Sequence, residues 1–121
     1  MFWQAELEPL KIDFISRRVE PMLGFQPEEF INDPELFLRL IDENDRVGVR
    51  HKLEHAINSD TGVDIEYRMR RKDQGWMWIR NIFGVHARQQ GGTRIEGIII
   101  DISEQRKLQQ DLLKRSDELA V

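Results

Sequence analysis

Three groups of side chains in this sequence have types and spacings that can do chemistry. His51 and His55 carry imidazoles, which can ligate iron or another metal. Arg68, Arg70, Arg71 and Lys72 form a cationic stretch followed by Trp76 and Trp78, a combination found where proteins grip nucleic acid. Asp101 is an acid at the end of the apolar run Ile98-Ile99-Ile100, immediately before a helix-start signal at Ser103.

Each group is weighed against plain packing or solvation. Relative to the apolar face set by Val49, Leu53 and Ala56, His51 points nearly opposite and His55 sits on the flank. Both are expected on the surface, haem ligation is disfavoured, and a transition-metal site is disfavoured further because no nearby ligand pair has convincing spacing. The cations alternate faces along a strand, so Arg68 and Arg70 oppose Arg71, and the net charge of -4 opposes a general attraction to phosphate. Solvated strand residues are expected there, with no nucleic-acid partner. Trp76 and Trp78 share one strand face, where core or interface packing is the expected use of their large area. Asp101 needs a partner if buried. A hairpin centred on Gln90-Gly91 sets Arg80 directly opposite it, whereas one centred on Gly91-Gly92 sets Ile82 there.

No catalytic constellation accompanies these groups. There is no nucleophile with a base, and Gly91-Gly92 lacks the Lys-Ser/Thr completion of a phosphate-binding loop and lies between strands. With no cysteine, disulfides, thiolate metal sites and cysteine nucleophiles are excluded. At 121 residues, with 40% hydrophobic and 33% charged residues, the chain has the makeup of one globular domain. No apolar run approaches the roughly 20 residues of a membrane span, and no basic segment followed by an apolar stretch opens the chain, so a cytoplasmic module is expected.

The elements that must position these residues follow from periodicity. Trp3, Ala5 and Leu7 alternate, Glu8-Pro9 interrupts, and Leu10, Ile12 and Phe14 resume, which predicts a β-hairpin. Short helices follow, ended by Gly24 and started by Pro27 and Pro34, with Glu28, Glu29 and Glu35 at their N-termini. A longer helix is predicted over 43–58, then strands at 63–69, from Trp76 to about 88, and over 93–102. Ser103 is expected to cap a final helix through its hydroxyl. Two strands, a run of helices, three strands and an exit helix predict an α+β domain with an antiparallel sheet. Ile98, Ile100 and Ile102 fall on one face of the last strand and Ile95, Gly97 and Ile99 on the other, so a helix or a partner subunit is expected over the second face.

The order and the local motifs together resemble the PAS family, specifically members ending in the PAC motif. The resemblance covers essentially the whole chain. It rests on Phe14-Ile15-Ser16 with Val19-Glu20-Pro21-Met22-Leu23-Gly24-Phe25, on Pro27-Glu28-Glu29-Phe30, and on Asp42-Glu43-Asn44-Asp45-Arg46. Further on it rests on Lys72-Asp73-Gln74-Gly75, Trp78-Ile79-Arg80, Gly97 and Asp101-Ile102-Ser103-Glu104-Gln105-Arg106-Lys107. It implies a five-stranded antiparallel sheet with short helices across one face. Residues 1–103 then form the sensory domain and 104–121 the signalling helix that begins a linker.

The resemblance also implies function. A module of this kind is a non-catalytic sensory and dimerisation input that relays a conformational signal to an output domain, such as a histidine kinase or a diguanylate cyclase, in the same polypeptide. A ligand-free protein–protein interaction scaffold is the alternative. Asp101-Ile102-Ser103 stands where the family has an Asp-Ile-Thr-like tripeptide between last strand and output helix, which makes Asp101, Ser103, Arg80 and Trp78 the candidate relay residues. Some haem-binding members place an axial ligand in the helix that carries His51 and His55. Flavin photochemistry through a cysteinyl adduct is excluded by the absence of cysteine. Family membership leaves the cofactor or small-molecule ligand unknown. Leu108 at d, with Leu112 and Leu119 at successive a positions, suits a parallel homodimeric coiled coil, although Gln105 and Arg115 occupy the other seam sites.

Overall fold

The computed structural model describes residues 1–7, 10–59, 61–87 and 92–119. The Glu8–Pro9 turn, Asp60 and the Gln90–Gly91 turn lie outside the described residues. The chain runs β1 (Phe2–Glu6), β2 (Lys11–Ile15), α1 (Val19–Leu23), α2 (Pro27–Asn32), α3 (Leu36–Leu40), α4 (Glu43–Ser59), β3 (Val63–Arg70), β4 (Trp76–Ala87), β5 (Thr93–Asp101) and α5 (Ser103–Leu119). The five strands form one sheet in the order β2-β1-β5-β4-β3, antiparallel throughout, so the chain termini of the domain meet at its centre. This is the α+β arrangement expected from the sequence.

Local chemistry sets the helix boundaries. Gly24 ends α1 at φ +86°, a conformation that disfavours a side chain, and its N–H bonds the Glu20 carbonyl at 2.8 Å. Pro27 opens α2, and Gln26 with Glu29 forms a capping box in which the Gln26 N–H donates to the Glu29 carboxylate at 2.8 Å. That backbone bond, with the Lys72 ammonium, holds the Glu29 carboxyl below its usual range. Period-two burial along the strands builds the core on one sheet face. Trp3, Ala5, Tyr67, Met69, Ile79, Ile95 and Ile99 meet Val19, Leu23, Phe30, Phe37 and Ala56 there.

Two expectations need correction. Leu10, Ile12 and Phe14 do not share a face. The β1–β2 register shifts between Gln4 and Ala5, so Asp13 is an extra residue, Ile12 and Ile15 point inward, and Phe14 turns outward against Phe2, with ring centroids 5.8 Å apart. A bulge re-aims one side chain in this way, and alternation alone cannot reveal it. Second, neither register weighed for the last hairpin is adopted. Asp101 faces Ile79, and Arg80 faces Ile100. The closing pair is Ala87 with Thr93, which leaves an odd number of residues between the strands, whereas both expected registers assumed a symmetric two-residue turn.

The second sheet face is only partly covered. Ile102 is buried outside the central cluster, where α5 begins, but Ile98 is 51% and Ile100 43% exposed. In register with Ile98 stand Phe2 on β1 and Ile82 on β4, both also exposed.

Candidate functional site

The predicted relay residues converge where β5 passes into α5. After Asp101 the backbone stays on β4, with the Ile102 N–H bonding the Trp78 carbonyl at 3.0 Å. Ser103 continues the ladder with its side chain. Its Oγ accepts the Trp78 N–H at 3.0 Å and lies 3.4 Å from the Trp78 carbonyl, to which it donates. The hydroxyl is therefore spent on β4 instead of capping α5 as expected. Asp101 supplies the cap, its Oδ1 accepting the Ser103 N–H at 2.9 Å, and its negative charge stands at the positive end of the helix dipole. Strand and exit helix are thus joined by three backbone-directed bonds.

A second layer of contacts clamps the first turns of α5 to the sheet. The Arg106 guanidinium lies 3.5 Å from the centroid of the Trp78 ring and donates through Nη1 to Glu66 on β3 at 3.1 Å. Arg68, directly opposite Trp78 in the β3–β4 register, places its own guanidinium carbon 5.4 Å from the same ring. A cation over an indole face is attracted by the ring quadrupole, worth about 0.5–2 kcal/mol according to desolvation. The Nε atoms of both arginines are buried without a hydrogen-bond partner, and the ring each guanidinium overlies is Trp78.

Arg68 carries the contact onward to α4. It forms an ion pair with Asp42 and another with Asp45 at 3.5 Å. The Arg68 N–H donates to Asp45 at 3.0 Å, and the Arg68 carbonyl accepts the Asp42 N–H at 2.9 Å. A continuous path therefore runs from the start of α4 through Arg68 and Trp78 to Arg106 on α5. Sequence reasoning missed Arg106, Glu66 and Arg68 as members of this site. Arg106 had a signal, since it follows Ser103 by three residues and so shares its helix face.

Asp101, Ser103 and Trp78 are brought together; Arg80 is not. Arg80 lies on the outer sheet face and forks onto Asp64 at 2.5 and 2.8 Å, which holds the Asp64 carboxyl below its usual range. The expected Asp101–Arg80 pair is thus replaced by a cross-strand pair on β3 and β4. Trp76 lies half exposed under Arg70, whose guanidinium is 4.5 Å from the ring centroid. Arg70 also bonds Gln74, Arg71 pairs with Asp73, and Lys72 pairs with Glu29. Leu108 and Leu112 are exposed on α5, as is Leu113 beside them, while the side chain of Leu119 lies outside the described residues.

The interior is filled by its own side chains. Trp3 stacks on Phe37 and meets Phe83 edge-on. Its Nε1 donates to Asn81 Oδ1 at 3.0 Å, and Asn81 Nδ2 donates to the Tyr67 hydroxyl at 2.9 Å. Full burial pushes the Tyr67 phenol well above its usual range, so it stays neutral. Beside this network, a cavity lined by Ile41, Val49 and Leu53 measures only about 110 Å³, below the roughly 300–1,000 Å³ of small-molecule sites. His51 and His55 are both exposed and line an outer groove, so the residues present do not fit a haem held between α4 and the sheet. None of the helices among the described residues is long and apolar enough to cross a membrane.

Comparison with known proteins agrees with this architecture. The profile of the family described as the PAS fold matches residues 12–99. The chain is 35% identical over 77 residues to the White collar 2 protein of Neurospora crassa, covering 63% of this chain and 14% of that protein. It is 26% identical over 121 residues to the sensor protein FixL of Bradyrhizobium diazoefficiens, covering 97% of this chain and 23% of FixL. It therefore spans less than a quarter of either relative's length. The solved sensory box histidine kinase/response regulator of Burkholderia thailandensis has the same fold, with a TM-score of 0.75, 19% identity, and coverage of 98% of this chain and 88% of that one.

Proposed function

From the premise that this chain belongs to the PAS family, whose domains are sensory modules, we propose that it relays a conformational signal through α5 to an output domain in the same polypeptide. A histidine kinase or a diguanylate cyclase is the output class the family resemblance implies. Residues 1–103 act as the sensing body and 104–121 as the signalling helix. The observation that carries this reading is the latch of Arg106 on Trp78 and Glu66, added to the Ser103 and Asp101 bonds at the same turn. A helix held by one ion pair, one cation–π contact and a few directed bonds can occupy two arrangements separated by a few kcal/mol, as a relay requires. The Asp42/Asp45–Arg68–Trp78 path gives movement of α4 a physical route to that latch.

Dimerisation belongs to the same proposal. Leu108 and Leu112 are unpartnered on α5, and Phe2, Ile82 and Ile98 form an exposed apolar row on the sheet. A second copy of this chain, pairing α5 in parallel, covers the leucines. Cysteines introduced at Leu112 and Leu119 in a chain extended beyond residue 121 test the arrangement. Same-residue cross-links support it; none, with a monomeric mass at high concentration, rejects it. The relay itself is tested in the full-length protein with Arg106→Ala and Trp78→Phe. Output set to one extreme in a domain that still melts cooperatively supports the reading, and unchanged output with the latch removed defeats it.

A second reading, a scaffold that works without a ligand, is favoured by the filled interior around Trp3, Asn81 and Tyr67. Native mass spectrometry with an absorption spectrum of the purified protein separates the two. A bound small molecule rejects the ligand-free reading.

A further inference from the structure

His51 and His55 stand four residues apart on α4, both exposed and both lining one open groove of about 480 Å³ between the end of α4 and the start of β3. A four-residue interval brings their Cβ atoms roughly 5–6 Å apart on one helix face. Helical zinc sites of the His-Glu-x-x-His type use this interval to set two imidazoles on one ion. The opposite wall is made by Gly62 and Val63, where a glycine leaves room for water on the outer side of a bound ion. Asp64 lines the groove but is forked by Arg80, and Lys52 acts electrostatically on Asp64, so the remaining charges there are matched to one another. No third His, Cys, Asp or Glu completes a metal-holding cluster among the described residues. A cation held here keeps coordination positions for water or an incoming ligand. The last turn of α4 has no basic side chain, and its terminal carbonyls favour positive charge nearby.

We propose that His51 and His55 form a two-imidazole clamp for a late first-row divalent cation on the open side of α4. Copper(II) is preferred over nickel and zinc by the order of intrinsic affinities. The clamp lies on the opposite end of α4 from Asp42 and Asp45 and does not depend on the signalling reading. Neutral imidazole nitrogens are the ligands, so each bound proton competes with the metal.

The test is calorimetric titration of the full chain with copper, nickel and zinc chlorides in a non-chelating buffer. One copper per chain is expected, bound more tightly than nickel or zinc. His51→Ala and His55→Ala should each weaken binding at least tenfold, with His86→Ala unchanged, and lowering the pH from 7.5 to 5.5, through the ordinary imidazole range near 6.5, should weaken it at least tenfold. Electron paramagnetic resonance of the copper form should show two equivalent nitrogen ligands. The histidines are exposed, so thermal melts of the variants should match wild type. Absence of saturable one-to-one binding overturns the clamp. So does loss in only one of the two variants, or loss in His86→Ala instead.

Discussion

Replacing Gly97 with alanine should destabilise this domain by more than its single added methyl suggests. Gly97 sits on β5 in register with Trp3 on β1 and Phe83 on β4, all facing the core. A Cβ there would stand 2.6 Å from Trp3 Nε1, 2.8 Å from Trp3 Cε2 and 2.8 Å from Phe83 Cβ. Ordinary carbon contacts lie at about 3.5–4.0 Å, so close to 1 Å must be opened on two sides. Phe83 Cβ is fixed to the β4 backbone and cannot yield alone. Trp3 can yield only by leaving Asn81, which is buried, short of its donor. Overpacking costs about 1–3 kcal/mol and an unsatisfied buried polar group about 1–3 kcal/mol more, while losing a strand glycine returns about 0.5–1 kcal/mol. The net loss is about 2–3 kcal/mol, which for a domain of this size lowers Tm by roughly 6–15 °C. Circular dichroism melts with urea titrations measure it. The partner variant Trp3→Phe removes the colliding nitrogen, so the double variant should cost at least about 1 kcal/mol less than the two single losses combined. A Gly97→Ala protein melting within 2 °C of wild type, or strict additivity with Trp3→Phe, refutes this account of the core.

Three further outcomes follow from the junction and the surface charges. A double-mutant cycle of Trp78→Ala and Arg106→Ala should return a coupling of about 0.5–2 kcal/mol in denaturant titrations, and zero coupling removes the latch. Ser103→Ala should lose about 0.5–1.5 kcal/mol while Ser103→Thr stays near wild type, because only the hydroxyl bonds β4; equal losses would place the effect elsewhere. Hydrogen bonds from Arg39 and Arg80 hold the Asp33 and Asp64 carboxyls below their usual range. A depressed acid contributes stability above its unfolded pKa and loses it as pH falls through the folded value, so the urea midpoint should drop on acidification below about pH 4. Asp33→Asn with Asp64→Asn should flatten that drop, and an unchanged pH profile in the double variant would contradict the pairing.

The sequence by itself determined the element order and the inner face of the sheet. Period-two burial at Trp3 and Ala5 and at Val63, Tyr67 and Met69, and the turn signals at Gly24 and Pro27, are local and follow from short-range geometry. The strand-to-helix step at Asp101-Ile102-Ser103 was legible for the same reason. Register was not. The odd-length connection before Thr93 and the bulge at Asp13 each move a side chain across the sheet, and a one-residue step reverses every face beyond it. Arg80 was thereby sent to Asp64, and the Ser103 hydroxyl became a strand ligand instead of a helix cap. Glu66, Arg68, Trp78 and Arg106 come from three elements, and no spacing along the chain encodes their meeting. The interval between His51 and His55 was visible from the start. That both line one open groove became known only once the end of α4 was set against the start of β3, because a shared environment is a property of packing between elements.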